Sequence, residues 1–296
     1  MRVGICCSGI GPTSDEAFIR ASAQAAEQEG FASIWIGEHV VLFDRYPESR
    51  YPYAGMFGSE VPIPDPTIPI SDPLIALTWI AAVTRRIEVG TGILILPQRQ
   101  PLVLAKALST LDALSGGRLV FGVGVGWCKE EYDAVGASWS DRGERMDEYL
   151  QALRVLWREK CSNFRGRKIE FTDVYLYPKP VRDIPVIVGG ESDFALKRAA
   201  RYGDGWYAFK LSVEDAPKKV KRLQELAREQ GRDPKKLRVI VAVFPETKAD
   251  DLRRYRDAGV TEFNLITAGA LAVDVPGLRA GMAKLSERFV NVTASW

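Results

Sequence analysis

Residues 87–124 read IEVGTGILILPQRQPLVLAKALSTLDALSGGRLVFGVG and contain one complete strand–helix–strand unit. Apolar runs rich in valine and isoleucine occupy 87–93 and 119–124, and Gly116 and Gly117 stop the helix between them. Runs that are apolar on both faces are typical of parallel strands covered by helices. The unit therefore predicts a parallel α/β fold.

Six further apolar runs alternate with amphipathic stretches, at 2–7, 33–37, 185–190, 204–209, 237–243 and 262–266. Strand followed by helix, eight times over, predicts a (β/α)8 TIM barrel, as one domain spanning 1–296. Insertions are predicted at about 42–71 and 161–183, where the connections are longer than ordinary βα loops. A doubly wound open sheet is the alternative, although Trp127 stands where a dinucleotide fingerprint would need its last glycine.

Several helix boundaries can be read from the sequence. Thr13 with Glu16 predicts a capping box, and Asp72 followed by Pro73 predicts a second helix start. A further helix is predicted near 141–158 because its apolar residues fall on one face. These residues are Met146, Tyr149, Leu150, Leu153, Leu156 and Trp157.

Composition narrows the possible functions. Lys+Arg total 40 and Asp+Glu total 38, a formal net charge of +2, which is too balanced for a protein that holds nucleic acid by counterion release. One histidine and four cysteines without C-x-x-C spacing argue against a zinc site or a disulfide framework. Residues 1–12 lack a signal pattern, and no window of about 18 residues is uninterruptedly apolar. We expect a cytoplasmic protein with reduced thiols and a small-molecule substrate, without metal, membrane or nucleic-acid partners.

The single histidine, His39, follows the apolar run at 33–37. In a barrel, catalytic side chains lie at the carboxyl ends of strands. Strand alternation directs one set of side chains to the barrel axis and Glu38 to the other side. The axial set is Ser33, Trp35, Gly37 and His39. We take His39 and Glu38 as the catalytic candidates, the alternative for His39 being a hydrogen-bonded packing role.

Glycines recur at alternate positions of two neighbouring strands. The same alternation places Gly90, Gly92, Gly122, Gly124 and Gly126 on a common face, which could be the inner one. A flat, broad ligand could lie in the gap that they leave. Alternatively, these glycines relieve crowding between barrel and helices or mark bulges.

Two other segments suggest binding functions. Gly189 and Gly190 end a strand and Ser192 starts a helix, where free N–H groups and the helix dipole favour an anion such as phosphate. An ordinary capped turn explains the same residues. The 42–71 segment is rich in proline and aromatic residues, which predicts a lid or substrate wall. Its large apolar and aromatic residues are Tyr46, Tyr51, Tyr53, Met56 and Phe57.

Ordered motifs over roughly residues 1–210 resemble the luciferase-like monooxygenase superfamily, and within it the oxidoreductases that use the deazaflavin coenzyme F420. The motifs are IWIGEHV, the run from DPLIALTW to EEYDAVG, RGERMDEYLQALRVLW, and PVIVGG with RAARYGDGW. The resemblance implies that the deazaflavin ring lies across the barrel mouth, that His39 is the acid/base residue beside it, and that the protein is a homodimer.

The same resemblance implies a set of cofactor-binding residues. Gly92–Ile93 corresponds to a nonprolyl cis peptide behind the ring, and Gly189, Gly190 and Ser192 to the turn that holds the coenzyme phosphate. The full set is Gly92, Ile93, Gly124, Gly126, Trp127, Gly189, Gly190 and Ser192.

Trp127 departs from the family pattern, because sugar-phosphate dehydrogenases of this group place a carboxylate there. Their substrate is therefore not transferred to this chain, and Trp127 could wall an apolar pocket. Glu130 and Glu131 are near enough in sequence to substitute for that carboxylate.

The predicted function is F420-dependent hydride transfer between reduced coenzyme and a small organic substrate, with His39 moving the proton. Three alternatives remain: a two-component monooxygenase that uses flavin mononucleotide (FMN), a phosphate-binding barrel isomerase or aldolase, and a noncatalytic flavin-binding protein.

Overall fold

A computed structural model gives the arrangement of the chain, and it describes residues 1–55, 60, 63, 65–267, 269–294 and 296. The strands are β1 Arg2–Cys6, β2 Ser33–Ile36, β3 Glu88–Thr91, β4 Leu94–Ile95, β5 Leu119–Gly124, β6 Ser162–Arg165, β7 Glu170–Val174, β8 Val186–Gly189, β9 Gly205–Ala208, β10 Arg238–Val243 and β11 Glu262–Ile266.

The α-helices lie between and after these strands. They are α1 Glu16–Gln28, α2 Pro73–Val83, α3 Pro101–Ser115, α4 Lys129–Ala134, α5 Arg142–Arg158, α6 Asp193–Tyr202, α7 Ala216–Glu229, α8 Ala249–Asp257, α9 Val275–Leu285 and α10 Val292–Ala294. Within the described ranges, no helix is both long and apolar enough to cross a membrane.

The parallel strands close into a barrel. Neighbours follow the order β3-β2-β1-β11-β10-β9-β8-β5, and β5 pairs with β3 to complete the ring. The (β/α)8 prediction is confirmed, and the doubly wound sheet is wrong because an open sheet would leave these two strands as edges. The short β4 continues beyond β3 and pairs with the upper part of β5. In the 161–183 insertion, β6 and β7 form an antiparallel hairpin.

Side-chain caps explain where α1 and α2 begin. The Asp72 carboxylate accepts the N–H groups of Leu74 and Ile75 at the start of α2, as predicted. The predicted capping box at Thr13 is wrong. The N-cap of α1 is Asp15, whose carboxylate accepts the N–H of Ala17 at 2.9 Å, whereas the Thr13 hydroxyl donates to the Ile10 carbonyl.

The predicted ends of α3 and α5 agree with the structure. Gly116 follows α3 with a φ of +69°, a left-handed conformation that favours glycine. The apolar face of α5 is buried as predicted.

The barrel interior is filled by side chains that alternate inward. Its buried members are Trp35, Val120, Ile187, Tyr207, Ile240, Ala242 and Ile266. The Trp35 ring stacks on Tyr207 with centroids 5.9 Å apart, and its indole N–H donates to Ser33 Oγ at 2.8 Å. The inward direction predicted for Trp35 is therefore confirmed.

Trp35 also accounts for the lower glycines. A Cβ at Gly90 would lie 2.7 Å from the Trp35 ring, and one at Gly122 would overlap the Thr91 carbonyl oxygen. The idea that Gly90 and Gly122 leave a gap for a ligand is wrong, because the indole occupies that space. Gly90 and Gly122 instead relieve crowding. The side chain that crowds them is Trp35, inside the barrel, and not one between barrel and helices.

We expect Gly122→Ala to lower the free energy of unfolding by about 2–3 kcal/mol, because the added methyl meets backbone in a packed core. Urea unfolding at constant m-value measures the change. Gly143→Ala is the matched control: in α5 the new Cβ meets only the end of the Arg198 side chain, at 3.4 Å, and the change should be neutral or stabilising by up to about 1 kcal/mol. Equal stability of the two variants would contradict this account of the barrel interior.

Candidate active site

His39 lies just beyond the carboxyl end of β2 and pairs with a carboxylate from another βα loop. Its Nδ1 is 3.3 Å from Oε2 of Glu131 in α4, and its side chain is 16% exposed. The imidazole also meets the Trp127 ring edge to face, with centroids 5.9 Å apart. His39 therefore has one nitrogen engaged and sits at the rim of the barrel mouth.

Glu131 is buried and bonds the backbone next to His39. Its side chain is 3% exposed, and Oε1 accepts the N–H of Val40. Burial raises the pKa of Glu131, but the hydrogen bond and charge of His39, with the N–H groups of Val40 and Val41, outweigh burial and bring this pKa below its ordinary value. Glu131 is thus a carboxylate at neutral pH that faces the imidazole.

Glu130 serves the lid rather than the histidine. Its carboxylate accepts the N–H groups of Glu48 at 2.8 Å and Ser49 at 3.2 Å, and the Ser49 hydroxyl donates to it as well. Burial opposes ionisation, yet these bonds lower the pKa of Glu130 to about 2. The two adjacent glutamates therefore have different tasks, one at the lid and one at His39.

Glu38 points to the opposite side of its segment, as alternation predicted. Its side chain is 1% exposed, pairs with the Arg99 guanidinium and accepts the N–H of Ile95 at 2.5 Å. Burial raises the pKa of Glu38, and the charge of Arg99 opposes that rise. The structure thus places this catalytic candidate in a buried ion pair that fixes the β4 segment and does not pair it with His39.

The floor of the mouth is apolar. The Gly92–Ile93 peptide is cis, as predicted. The Ile93 side chain fills the space that a Cβ would need at Gly124 and lies 3.1 Å from a Cβ built at Gly189. Other partly buried side chains packed on the barrel interior are Cys6, Phe209 and Phe244. A Cβ at Gly126 would lie 3.1 Å from Ile95, so glycine at this position leaves room for the Ile95 side chain.

The 189–192 turn leads into the start of α6 and has a lysine beside it. Gly190 has a φ of +111°, and the Ser192 hydroxyl caps α6 by accepting the N–H of Ala195 at 3.2 Å. Lys219 Nζ donates to the Glu191 carbonyl at 2.6 Å. The Glu191 carboxylate turns away to the N–H groups of Phe209 and Lys210. A helix start with a lysine beside it suits a phosphate group.

The aromatic segment after His39 covers the mouth. Tyr46 and Tyr51 contact Trp127 with centroids 5.4 and 5.1 Å apart. Tyr53 contacts Phe209 at 5.0 Å, and its hydroxyl donates to Glu191 at 2.8 Å. The segment thus lies where a lid would lie. Met56 and Phe57, also predicted for the lid, fall outside the described residues.

A family model described as luciferase-like monooxygenase matches residues 1–286. The chain belongs to this family.

Two relatives share part of this sequence, and a solved structure shares its fold. An uncharacterized protein of Mycobacterium tuberculosis H37Rv is 35% identical over 247 residues, which cover 82% of this chain and 84% of that protein. An F420-dependent glucose-6-phosphate dehydrogenase of Amycolatopsis mediterranei is 30% identical over 191 residues, 62% of this chain and 50% of its own. A solved F420-dependent secondary alcohol dehydrogenase, in complex with an F420-acetone adduct, has a TM-score of 0.77 at 18% identity and 98% coverage of both chains.

The cysteines of this luciferase-like protein are free thiols. Burial raises the pKa of Cys6 to about 11 and that of Cys7 and Cys128 to about 12. These three are therefore neutral at physiological pH and poor nucleophiles. In the part of the chain that the structure describes, no group of three or more His, Cys, Asp or Glu side chains is placed to hold a metal ion.

Proposed function

We propose that the protein is an F420-dependent oxidoreductase that transfers a hydride between the coenzyme and a small organic substrate. The observation that carries the proposal is the His39–Glu131 pair, which stands at the rim of an apolar floor. At the edge of the same mouth lies the Gly190–Ser192 turn with Lys219. The similarity to an F420-dependent dehydrogenase supports the same choice of coenzyme.

The residues at the mouth fit a deazaflavin. Ile93 and Phe209 would hold the apolar ring, with Gly124 and Gly189 leaving room for the Ile93 side chain beneath it. The 190–192 turn with Lys219 would hold the phosphate. We propose that Gly92, Gly126 and Trp127 also bind the coenzyme, at the edge of this site. When bound, the coenzyme supplies a carbon that gives or takes the hydride.

His39 moves the proton that accompanies the hydride. With Nδ1 directed at Glu131, the other ring nitrogen, Nε2, is the one that can donate to a substrate carbonyl or accept from an alcohol. The Glu131 carboxylate stabilises the protonated imidazole and fixes its orientation. Glu38 contributes indirectly, by holding Ile95 and thereby the segment that carries Ile93. A homodimer remains a prediction of the family resemblance.

Titration of the purified protein with F420 and with FMN tests the choice of coenzyme. We expect saturable binding of F420 that is tighter than that of FMN. Lys219→Ala should weaken F420 affinity by about 5- to 10-fold, because it removes a cation beside the phosphate turn. Lys218→Ala is the matched control on the exposed face of α7 and should leave the affinity unchanged.

Each other outcome corresponds to one alternative. Preferential FMN binding with oxygen-dependent turnover would replace the proposal by a two-component monooxygenase. Binding of neither coenzyme would favour a phosphate-binding isomerase or aldolase. A bound ring without turnover on any substrate would indicate a noncatalytic flavin-binding protein.

A further inference from the structure

We infer that the site takes an uncharged, mainly apolar substrate, such as an aryl or alkyl aldehyde, ketone or alcohol, and that Trp127 with Tyr46 and Tyr51 selects it. The inference rests on the proposed function and names the class of its second substrate. It starts from the contacts among the aromatic rings above the floor.

These rings form a connected series across the mouth. Successive centroid separations are 5.9 Å for Phe43–Tyr46, 5.4 Å for Tyr46–Trp127, 5.1 Å for Trp127–Tyr51, 5.5 Å for Tyr51–Tyr53, 5.0 Å for Tyr53–Phe209 and 6.4 Å for Phe209–Phe244. Trp127 belongs to the series and also meets His39. A substrate that approaches the imidazole past the described part of the lid therefore meets these rings.

Because the rings touch one another, an entering substrate has to separate them. An apolar substrate replaces the lost ring contacts with its own and keeps water out. A charged substrate would lose its hydration next to rings that offer it no counter-charge. Burial also raises the pKa of Tyr51 to about 12, so this ring is uncharged at neutral pH.

The charges beside His39 disfavour an anionic substrate there. Glu130 and Glu131 lie on this side of the mouth as hydrogen-bond acceptors for backbone N–H groups of Glu48 and Val40. Two cations of the same region already have partners: Lys129 pairs with Glu48 and Asp133, and Arg50 donates to the carbonyl oxygens of Tyr46 and Ser49. A phosphate or carboxylate on a substrate beside His39, away from the turn with Lys219, would thus meet like charge.

A cationic substrate is the competing class, since aromatic rings and carboxylates can together bind an ammonium group. Such a cage presents ring faces around an open centre. Here Trp127 meets Tyr51 at an interplanar angle of 61° and Tyr46 at 40°, in direct contact with both. The Glu130 carboxylate is directed to the backbone N–H groups of Glu48 and Ser49, and the Glu131 carboxylate to the N–H of Val40 and to His39. The geometry therefore favours a neutral substrate.

Three benzaldehydes that differ only in their para substituent test the inference: 4-methylbenzaldehyde, 4-formylbenzoate and 4-(trimethylammonio)benzaldehyde. Their dissociation constants are measured by calorimetry on protein saturated with F420. We expect the neutral methyl compound to bind at least about tenfold more tightly than either charged compound. Tighter binding of the anion or the cation, equal affinity for all three, or binding of none would overturn the inference.

Variants of Trp127 test whether this residue causes the preference for the neutral aldehyde. Trp127→Ala should lower the affinity for 4-methylbenzaldehyde by about tenfold or more and reduce the preference over the anion, whereas Trp127→Phe should keep the preference. Tyr175→Ala, at an exposed aromatic residue after β7, should behave as the parent. An unchanged preference in folded Trp127→Ala would remove Trp127 from substrate selection.

Failure of the proposed function can be distinguished from failure of this inference. If F420 does not bind, the proposed function is lost, but the order of the three aldehydes can still be measured on coenzyme-free protein. If F420 binds and the aldehydes show no preference for the neutral compound, only the substrate class is wrong.

Discussion

The His39→Ala enzyme is expected to show a kcat about 10²- to 10⁴-fold below that of the parent, because it lacks the group that moves the proton. The coenzyme dissociation constant should change by less than about threefold, since the proposed phosphate contacts lie at the 190–192 turn and the ring contacts lie on the apolar floor. Steady-state turnover with the best-bound aldehyde or its alcohol gives kcat, and the F420 titration gives the dissociation constant.

Two further measurements separate proton transfer from packing at this position. His39→Gln keeps an N–H near Glu131 but cannot relay a proton at neutral pH, so it should lose as much kcat as His39→Ala. Added imidazole should restore part of the turnover of His39→Ala only. A kcat for His39→Ala within about threefold of the parent would remove His39 from the chemistry.

The barrel could be predicted because its signals are local. Each apolar run needs only its own composition to be identified as a buried strand, and eight of them in alternation with helices admit few topologies. The predicted runs differ from the observed strands only at their ends. The run at 87–93, for example, forms β3 only as far as Thr91, and the separate β4 begins beyond it at Leu94. The end of a strand depends on pairing with a neighbour, which a single run does not encode.

The glycine pattern shows where a local rule is insufficient. Alternation correctly directs Trp35 inward, and it places Gly90 on a shared face. Only the register, in which Trp35 lies opposite Gly90, shows that the indole uses the space beside that glycine. Which inward side chain fills a gap depends on the stagger of neighbouring strands. Of the two interpretations that the glycine pattern allows, the structure supports the relief of crowding at Gly90 and Gly122.

The partner of His39 is a tertiary feature that the sequence does not reveal. Glu131 is 92 residues away and reaches the histidine only because α4 directs its first turn back over the mouth. The adjacent residue, Glu130, is also a glutamate, but it bonds the lid and not His39. The nearest signal in the sequence was the departure at Trp127, which suggested that a neighbouring glutamate could supply the missing carboxylate. It could not decide between the two.

Glu131→Gln is expected to lower kcat by about 10- to 100-fold, less than the loss in His39→Ala. The amide can still accept the N–H of Val40, so the loop keeps its support, but it no longer offers a negative charge to the imidazole. The imidazole then takes up its proton without a counter-charge beside Nδ1. Steady-state turnover, with the same substrate as for His39→Ala, measures the loss of kcat.

Glu130→Gln is the matched control, because it changes the adjacent carboxylate, which bonds the lid and not His39. It can alter KM through the lid, but its kcat should stay within about threefold of the parent. An unchanged kcat in Glu131→Gln, or an equal loss of kcat in both variants, would contradict a specific role for Glu131.

The double variant His39→Ala/Glu131→Gln decides whether Glu131 acts through the histidine. If the carboxylate only orients and stabilises the imidazole, removing it after the imidazole has gone should cost nothing more, and kcat should match that of His39→Ala within about twofold. Independent actions would instead multiply the two losses. A multiplied loss would mean that Glu131 contacts the substrate or coenzyme directly. A loss equal to that of His39→Ala would mean that the effect of Glu131 on turnover passes through Nδ1 of His39.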